Sequence, residues 1–299
     1  MKLIDGKAIA AGIKDQIARE VRAMIDRGEE PPHLAAVLVG EDPASHSYVK
    51  SKEKACAEVG FTSSVYRLPA NVRQEELLEV VDFLNQDGGV DGFIVQLPLP
   101  DHIPVGTVIE RIDPRKDVDG FHPVNIGRMV QGEPAYLPAT PFGILMMLEK
   151  ANIATEGKHC VVLGRSNIVG TPMSILLSRK ANPGNATVTL CHSKTNDLAS
   201  ITRQADILIA AIGQPGFVKA DMVKQGAVVI DVGIHRVPSA ETSSGYRLTG
   251  DVDFDSVAPR TSWISPVPGG VGLLTVVGLL QNTLLAARGS VYPLSREQR

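Results

Sequence analysis

"HCVVLGRSNIVGTPMSILLS", residues 159–178, reads as a strand, a glycine turn and a helix in direct succession. His159 to Leu163 is almost continuously apolar, as a parallel strand buried on both faces must be. Gly164 ends the strand and Gly170 stands where the helix begins. The spacing is G-x-S-x-x-x-G-x-P, not the commoner G-x-G-x-x-G. Its physical content is similar: small residues let the backbone approach a pyrophosphate, and a helix N-terminus offers N–H groups and the positive end of a dipole. A plain strand–helix turn would use glycine in the same places, so the neighbouring segments must decide.

The next strand, "ATVTLCH" (186–192), runs into "SKT". A chain built for NAD usually carries Asp or Glu at the end of that strand, to hold the ribose hydroxyls. Here Ser193 and Lys194 follow and no acid does, while Arg165 sits in the glycine turn itself. An arginine, a serine and no carboxylate suit a 2′-phosphate, so the cofactor expected is NADP.

Further apolar runs recur with helical segments between them: "LAAVLVG" (34–40), "GFIVQLPLP" (92–100), "ADILIAAIG" (205–213) and "AVVIDVGI" (227–234). The fold class expected is α/β with parallel sheets, in two domains with a cleft between them. Pro134, Pro138 and Pro141 mark a crossover, which puts the boundary near Leu137. The first domain spans 1–137, and a Rossmann-like NADP-binding domain spans 138–272. A last helix, 273–299, has the length and apolar content to return to the first domain.

The 299 residues carry 30 basic and 33 acidic side chains, a net charge of −3. That balance gives no electrostatic case for nucleic acid or an anionic membrane as partner. Cys56, Cys160 and Cys191 are odd in number and far apart, and the seven histidines are scattered, so neither a disulfide framework nor a metal site is expected. The start has no signal-peptide core, and "GGVGLLTVVGLL" is shorter than the roughly 20 residues a bilayer span needs. A cytoplasmic, reduced, soluble protein is expected.

"SHSYVKSKEKACAEVG" (45–60) holds three lysines. Asp42 can cap a helix here, Pro43 fits its first turn and Gly60 its end. At helical spacing Lys50 and Lys54 share a polar face, whereas Lys52 lies with Tyr48, Val49, Ala55, Cys56 and Val59 on the apolar stripe. Lys52 either snorkels to the helix edge or is buried with a depressed pKa and can act as a base. Gln96, inside an apolar run, is either paired structurally or turned to a ligand at a strand's carboxyl end. Of Asp113, Asp117 and Asp119, most should cap turns, and one could accept paired N–H donors from a ring. "PVPGGVG" (266–272) fits a close-packed loop against a ligand or an interdomain hinge.

Taken together, "SYVKSKEKA", "VQLPLP", "KDVDGFHPVN", "GRSNIVGTPM", "TVTLCHSKT", "IGQPGFV", "GAVVIDVGI", "GDVDF" and "PVPGGVG" resemble the bifunctional methylenetetrahydrofolate dehydrogenase/methenyltetrahydrofolate cyclohydrolases, in family order over essentially the whole chain. The resemblance implies a folate-binding first domain, NADP as cofactor, a tetrahydrofolate substrate and a cytoplasmic homodimer. It implies Lys52 as catalytic lysine, Tyr48 as the folate-stacking tyrosine that can also hydrogen-bond the lysine, Gln96 as the group tuning the lysine, and Asp119 as pterin anchor. It places cofactor contacts on Gly164, Arg165, Ser166, Ser193 and Ile234, and puts Pro268 and Gly269 beside the substrate. The chain departs from the family at Leu273 and Leu274, where "PGGVGPMT" is usual, and at Ala139, where "PCTP" is usual. Leu273 in place of proline is expected to loosen the loop and to act on substrate affinity, not reaction type. Two rivals predict different behaviour: a monofunctional Rossmann dehydrogenase of another substrate, resembling shikimate-type enzymes, would lack folate affinity, and a non-catalytic NADP- or folate-binding protein would bind without turnover.

Overall fold

The computed structural model describes residues 1–240, 242 and 245–293. Its strands are β1 (Lys2–Leu3), β2 (His33–Val39), β3 (Thr62–Leu68), β4 (Gly92–Val95), β5 (His159–Leu163) and β6 (Thr187–Cys191). They continue as β7 (Ile207–Ala210), β8 (Ala227–Asp231), β9 (His235–Pro238), β10 (Tyr246–Thr249) and β11 (Thr261–Ile264). The chain divides into two units, one of Gly12–Ala139 with Val276–Arg299 and one of Met1–Ala11 with Thr140–Thr275.

The first unit holds a parallel sheet in the order β3-β2-β4. β2 is central and buried along almost its whole length, which explains why 34–39 is apolar without alternation. Helix Gln74–Gln86 places Leu77, Val81 and Leu84 on one face, and they pack with Val37, Val39, Phe93 and Val95. β4 stops at Val95, earlier than the apolar run ending at Pro100, because the prolines at 98 and 100 cannot donate to a ladder. Asn282, fully buried, donates from Nδ2 to the carbonyls of Val118 and Leu137, at 2.8 Å each. Each such bond contributes about 1 kcal/mol.

The second unit is built on a six-stranded sheet in the order β1-β11-β8-β7-β5-β6, every pair parallel. From β5 the chain steps to β6 on one side and then crosses back to β7 on the other. The carboxyl end of β5 is therefore the topological switch point, where open α/β sheets bind ligands. β9 and β10 form a separate antiparallel ribbon.

Two features differ from expectation. Met1–Ala11 belongs to the second unit, not the first domain, because β1 adds to the sheet edge beside Trp263 and Ile264. The last helix runs Val271–Ala287 rather than 273–299. It is closed by Gly289, whose backbone is left-handed (φ 59°) and whose N–H bonds to Ala286 O. Residues 294–299 of that expected helix lie outside the described residues. No helix among the described residues is long and apolar enough to cross a membrane.

Candidate active site and nucleotide site

The helix carrying the three lysines spans Pro43–Val59. Asp42 starts it by accepting from the Ser45 N–H at 2.8 Å, and Gly60, in the left-handed region (φ 82°), ends it. Lys50 and Lys54 are exposed, whereas Lys52 is 8% exposed and shares its face with Val49, Ala55 and Cys56. Burial pushes the Lys52 amine below the ordinary lysine range, and the nearby Asp119 carboxylate pulls it part of the way back.

Lys52 Nζ donates to Gln96 Oε1 at 3.0 Å. Gln96 follows β4, and its backbone N–H bonds to Val37 O at 2.8 Å, which fixes it to the carboxyl end of the sheet. Its Nε2 donates to Leu97 O at 2.7 Å, so the amide carbonyl is held towards the lysine. A carbonyl accepts from the amine without adding charge, so it orients the lysine and leaves the amine able to lose its proton.

The loop after Ile112 sorts its aspartates. Asp113 accepts from the Arg115 N–H and side chain. Asp117 is buried and accepts from Phe121 N, His122 N and Asn125 Nδ2. Burial pushes its carboxyl up to about 7, against the pull of those donors. Asp119 alone of the three has no hydrogen bond to its carboxylate among the described residues. Burial raises its pKa, and Lys52 lowers it. It borders an apolar cavity lined by Leu97, Leu99, Val105, Val108 and Phe121. A lowered lysine beside a raised carboxyl that no turn N–H occupies makes this the candidate chemical site of the unit. Tyr48 lies one turn before Lys52, half-buried. It makes no hydrogen bond to the lysine, whose amine donates to Gln96.

The glycine turn lies in the other unit. Gly164 is left-handed (φ 121°), and a Cβ on it would lie 2.0 Å from Ala211 O, the backbone following β7. A Cβ on Gly170 would lie 1.9 Å from Gly164 O. The spacing of the two glycines thus comes from a close approach of strand end and helix start, leaving a backbone cradle at the switch point. Ser166 Oγ accepts from Val169 N at 3.2 Å and stiffens the turn, while Arg165, Ser166 and Ser193 are exposed around it. β6 ends at Cys191 and no acid stands in 192–196. Ile234, 40% exposed, follows β8 and would meet a Cβ added to Gly272 at 2.7 Å. Pro268 and Gly269 lie in this unit, with Gly269 O 2.4 Å from where a Gly6 Cβ would be. The structure thus groups Lys52, Gln96 and Asp119 in one unit, with Tyr48 on the same helix. Gly164, Arg165, Ser166, Ser193, Ile234, Pro268 and Gly269 lie in the other.

Residues 4–119 match the family model "Tetrahydrofolate dehydrogenase/cyclohydrolase, catalytic domain", and residues 138–291 match the corresponding NAD(P)-binding domain. The chain belongs to the tetrahydrofolate dehydrogenase/cyclohydrolase family. It is 60% identical to the bifunctional protein FolD of Phocaeicola vulgatus over 98% of this chain and 100% of that one. It is 58% identical to the FolD of Porphyromonas gingivalis, covering 96% and 97%. The solved bifunctional FolD of Campylobacter jejuni superposes with a TM-score of 0.90 at 48% identity, covering 97% and 99%. That of Trypanosoma brucei, solved with NADP and an inhibitor, gives 0.91 at 41% identity, covering 97% and 98%. Tyr48, Lys52, Gln96 and Asp119 fall within the first matched range, and Gly164, Arg165, Ser166, Ser193, Ile234, Pro268 and Gly269 within the second.

Sequence reasoning missed the groups behind these sites. Asp231 and Asp251 are buried under the nucleotide end of the second unit, and Asn125 braces Asp117. An acid closing the apolar run 227–231 was the available signal for Asp231.

Proposed function

We propose that this chain oxidises 5,10-methylenetetrahydrofolate to 5,10-methenyltetrahydrofolate with NADP and hydrolyses the product to 10-formyltetrahydrofolate, serving one-carbon metabolism as a cytoplasmic homodimer. The observation that carries the reading is the buried Lys52–Gln96 pair with the unspent Asp119 beside it, in the unit matching the catalytic domain.

NADP fits the second unit: Gly164 and Gly170 keep the turn after β5 as bare, closely packed backbone with no room for a Cβ, and exposed Arg165 and Ser193 offer donors where no carboxylate opposes a 2′-phosphate. Bound there, it supplies a nicotinamide that accepts a hydride. Ser166 and Ile234 border the same site, and Pro268 and Gly269 lie on the substrate side. Tyr48 stacks on the aminobenzoate ring, and Asp119 accepts from the pterin amino group and ring nitrogen. Lys52, neutral and oriented by Gln96, takes the proton from the water that adds to the methenyl carbon; ring opening then leaves the formyl group on N10. The cationic methenyl substrate further favours the neutral amine.

A spectrophotometric assay with methylenetetrahydrofolate, run with NADP and then NAD, tests the reading by following reduced cofactor and methenyl absorbance separately. Reduced cofactor without methenyl accumulation is expected, and no turnover with either cofactor would overturn the proposal. Arg165→Gln is expected to raise the KM for NADP about 10- to 100-fold through loss of a charge-assisted contact, with the KM for NAD little changed. Equal rises for both cofactors would remove Arg165 from 2′-phosphate recognition.

A pH dependence follows from the Lys52–Asp119 pair. Protonation removes the base, so hydrolysis falls as pH drops through the Lys52 pKa. Asp119 raises that pKa, so Asp119→Asn should let the neutral amine persist to lower pH. The acid limb of the cyclohydrolase kcat is expected to move down, and an unmoved limb would separate Asp119 from the base.

A further inference from the structure

We propose that His235 and Asp251 are positioning residues for NADP, holding the Ile212–Gly213 turn against the glycine cradle. The inference rests on the cofactor site assigned above. Asp251 is fully buried, and its Oδ2 accepts from Ile212 N at 2.7 Å and Gly213 N at 3.0 Å. Its Oδ1 accepts from His235 Nε2 at 2.7 Å. The two amides belong to the turn after β7. Ala211, just before them, is the residue whose carbonyl lies where a Gly164 Cβ would be. The connection runs from the His235 ring through the carboxylate to two amides and on to the wall of the cradle.

Asp251 is itself fixed. Its N–H donates to Asp231 Oδ1 at 2.8 Å, and Val252 N to Oδ2 at 3.0 Å. Gly233 donates to the same Asp231 Oδ1 at 3.0 Å. Glycine is needed at 233 because a Cβ there would stand 2.5 Å from Asp251 Oδ1. Ile234, between Gly233 and His235, is therefore tied to the same carboxylate as the turn after β7. The turns after the adjacent strands β7 and β8 are locked to one buried group, so the spacing between these two turns, beside the cradle, is held by Asp251. Its one basic side-chain partner among the described residues is His235, at the ribbon edge.

The test uses the full chain with His235→Ala and His235→Gln, the latter keeping a neutral N–H donor. Two rates are measured: NADP-dependent dehydrogenase turnover, and hydrolysis of added methenyltetrahydrofolate without NADP. His235→Ala is expected to raise the KM for NADP roughly tenfold, the loss of one hydrogen bond to a charged group. Hydrolysis should stay within about twofold, which also reports a folded protein, and His235→Gln should recover most of the affinity. An unchanged KM for NADP in His235→Ala overturns the proposal. So does a parallel loss of both activities, or a glutamine variant as weak as the alanine one. Failure of the unmutated chain to turn over NADP would instead overturn the cofactor assignment beneath it.

Discussion

Lys52→Met is expected to lower the cyclohydrolase rate by about 10²–10⁴-fold, the usual contribution of a positioned general base. Methionine is unbranched, close to lysine in length and apolar, so it fills the buried slot beside Val49, Ala55 and Cys56 without opening a cavity. What it removes is the lone pair that receives the water proton, together with the donor to Gln96 Oε1. The orphaned carbonyl costs about 1–3 kcal/mol of stability unless water replaces the amine, which is too little to unfold a chain of this size. Hydride departure from the methylene carbon needs no base, so dehydrogenase turnover should survive and methenyl product should accumulate. The decisive trace is methenyl absorbance after a pulse of substrate and NADP. Hydrolysis at the unmutated rate would end the assignment of Lys52 as base.

Gly170→Ala is expected to abolish useful NADP binding, raising its KM beyond about 10²-fold, because a displacement near 1 Å at a ligand-positioning turn is enough to do so. The added methyl would stand 1.9 Å from Gly164 O, 2.5 Å from Gly164 C and 2.9 Å from Arg165 Cα. All three are backbone atoms, and none can swing aside as a side chain would. The turn must open or the helix Gly170–Ser178 must move back, at an overpacking cost of about 3 kcal/mol. Cyclohydrolase activity on added methenyltetrahydrofolate should persist, because Lys52, Gln96 and Asp119 lie in the other unit. A near-native KM for NADP in this variant would show that the two glycines do not form the cradle.

The nucleotide-site glycines and the odd lysine were legible in the sequence for the same reason: each breaks a periodicity that its neighbours keep. Lys52 stands on an apolar helical stripe, and Gly164 and Gly170 bracket a turn between an apolar strand and an apolar helix. The absence of an acid after "ATVTLCH" is likewise a statement about composition at one place. What stayed hidden depends on contacts far apart in the chain. The two residues of β1 carry no period of their own and are placed only by the sheet edge beside β11. Asp117 and Asp119 look alike in "DVDG", and only burial and three N–H donors show that the first is spent on its own loop. Asp251 sits in a short polar stretch, "GDVDF", whose role appears once β7 and β8 are known to be neighbours.

Asn282 sets a condition on how the chain can be made. It joins the carbonyls of Val118 and Leu137 across a sequence separation of 164 and 145 residues, within a unit that also needs Val276 onward. During synthesis the ribosome delivers residues 12–139 long before it delivers that asparagine. The lysine-bearing unit therefore lacks its last helix, and the two bonds Asn282 makes, until the whole nucleotide-binding segment has been translated. A chain cut short before Asn282 would hold Lys52, Gln96 and Asp119 but lack the two bonds that tie the loop around Asp119 down, leaving apolar surface that the last helix covers in the finished protein.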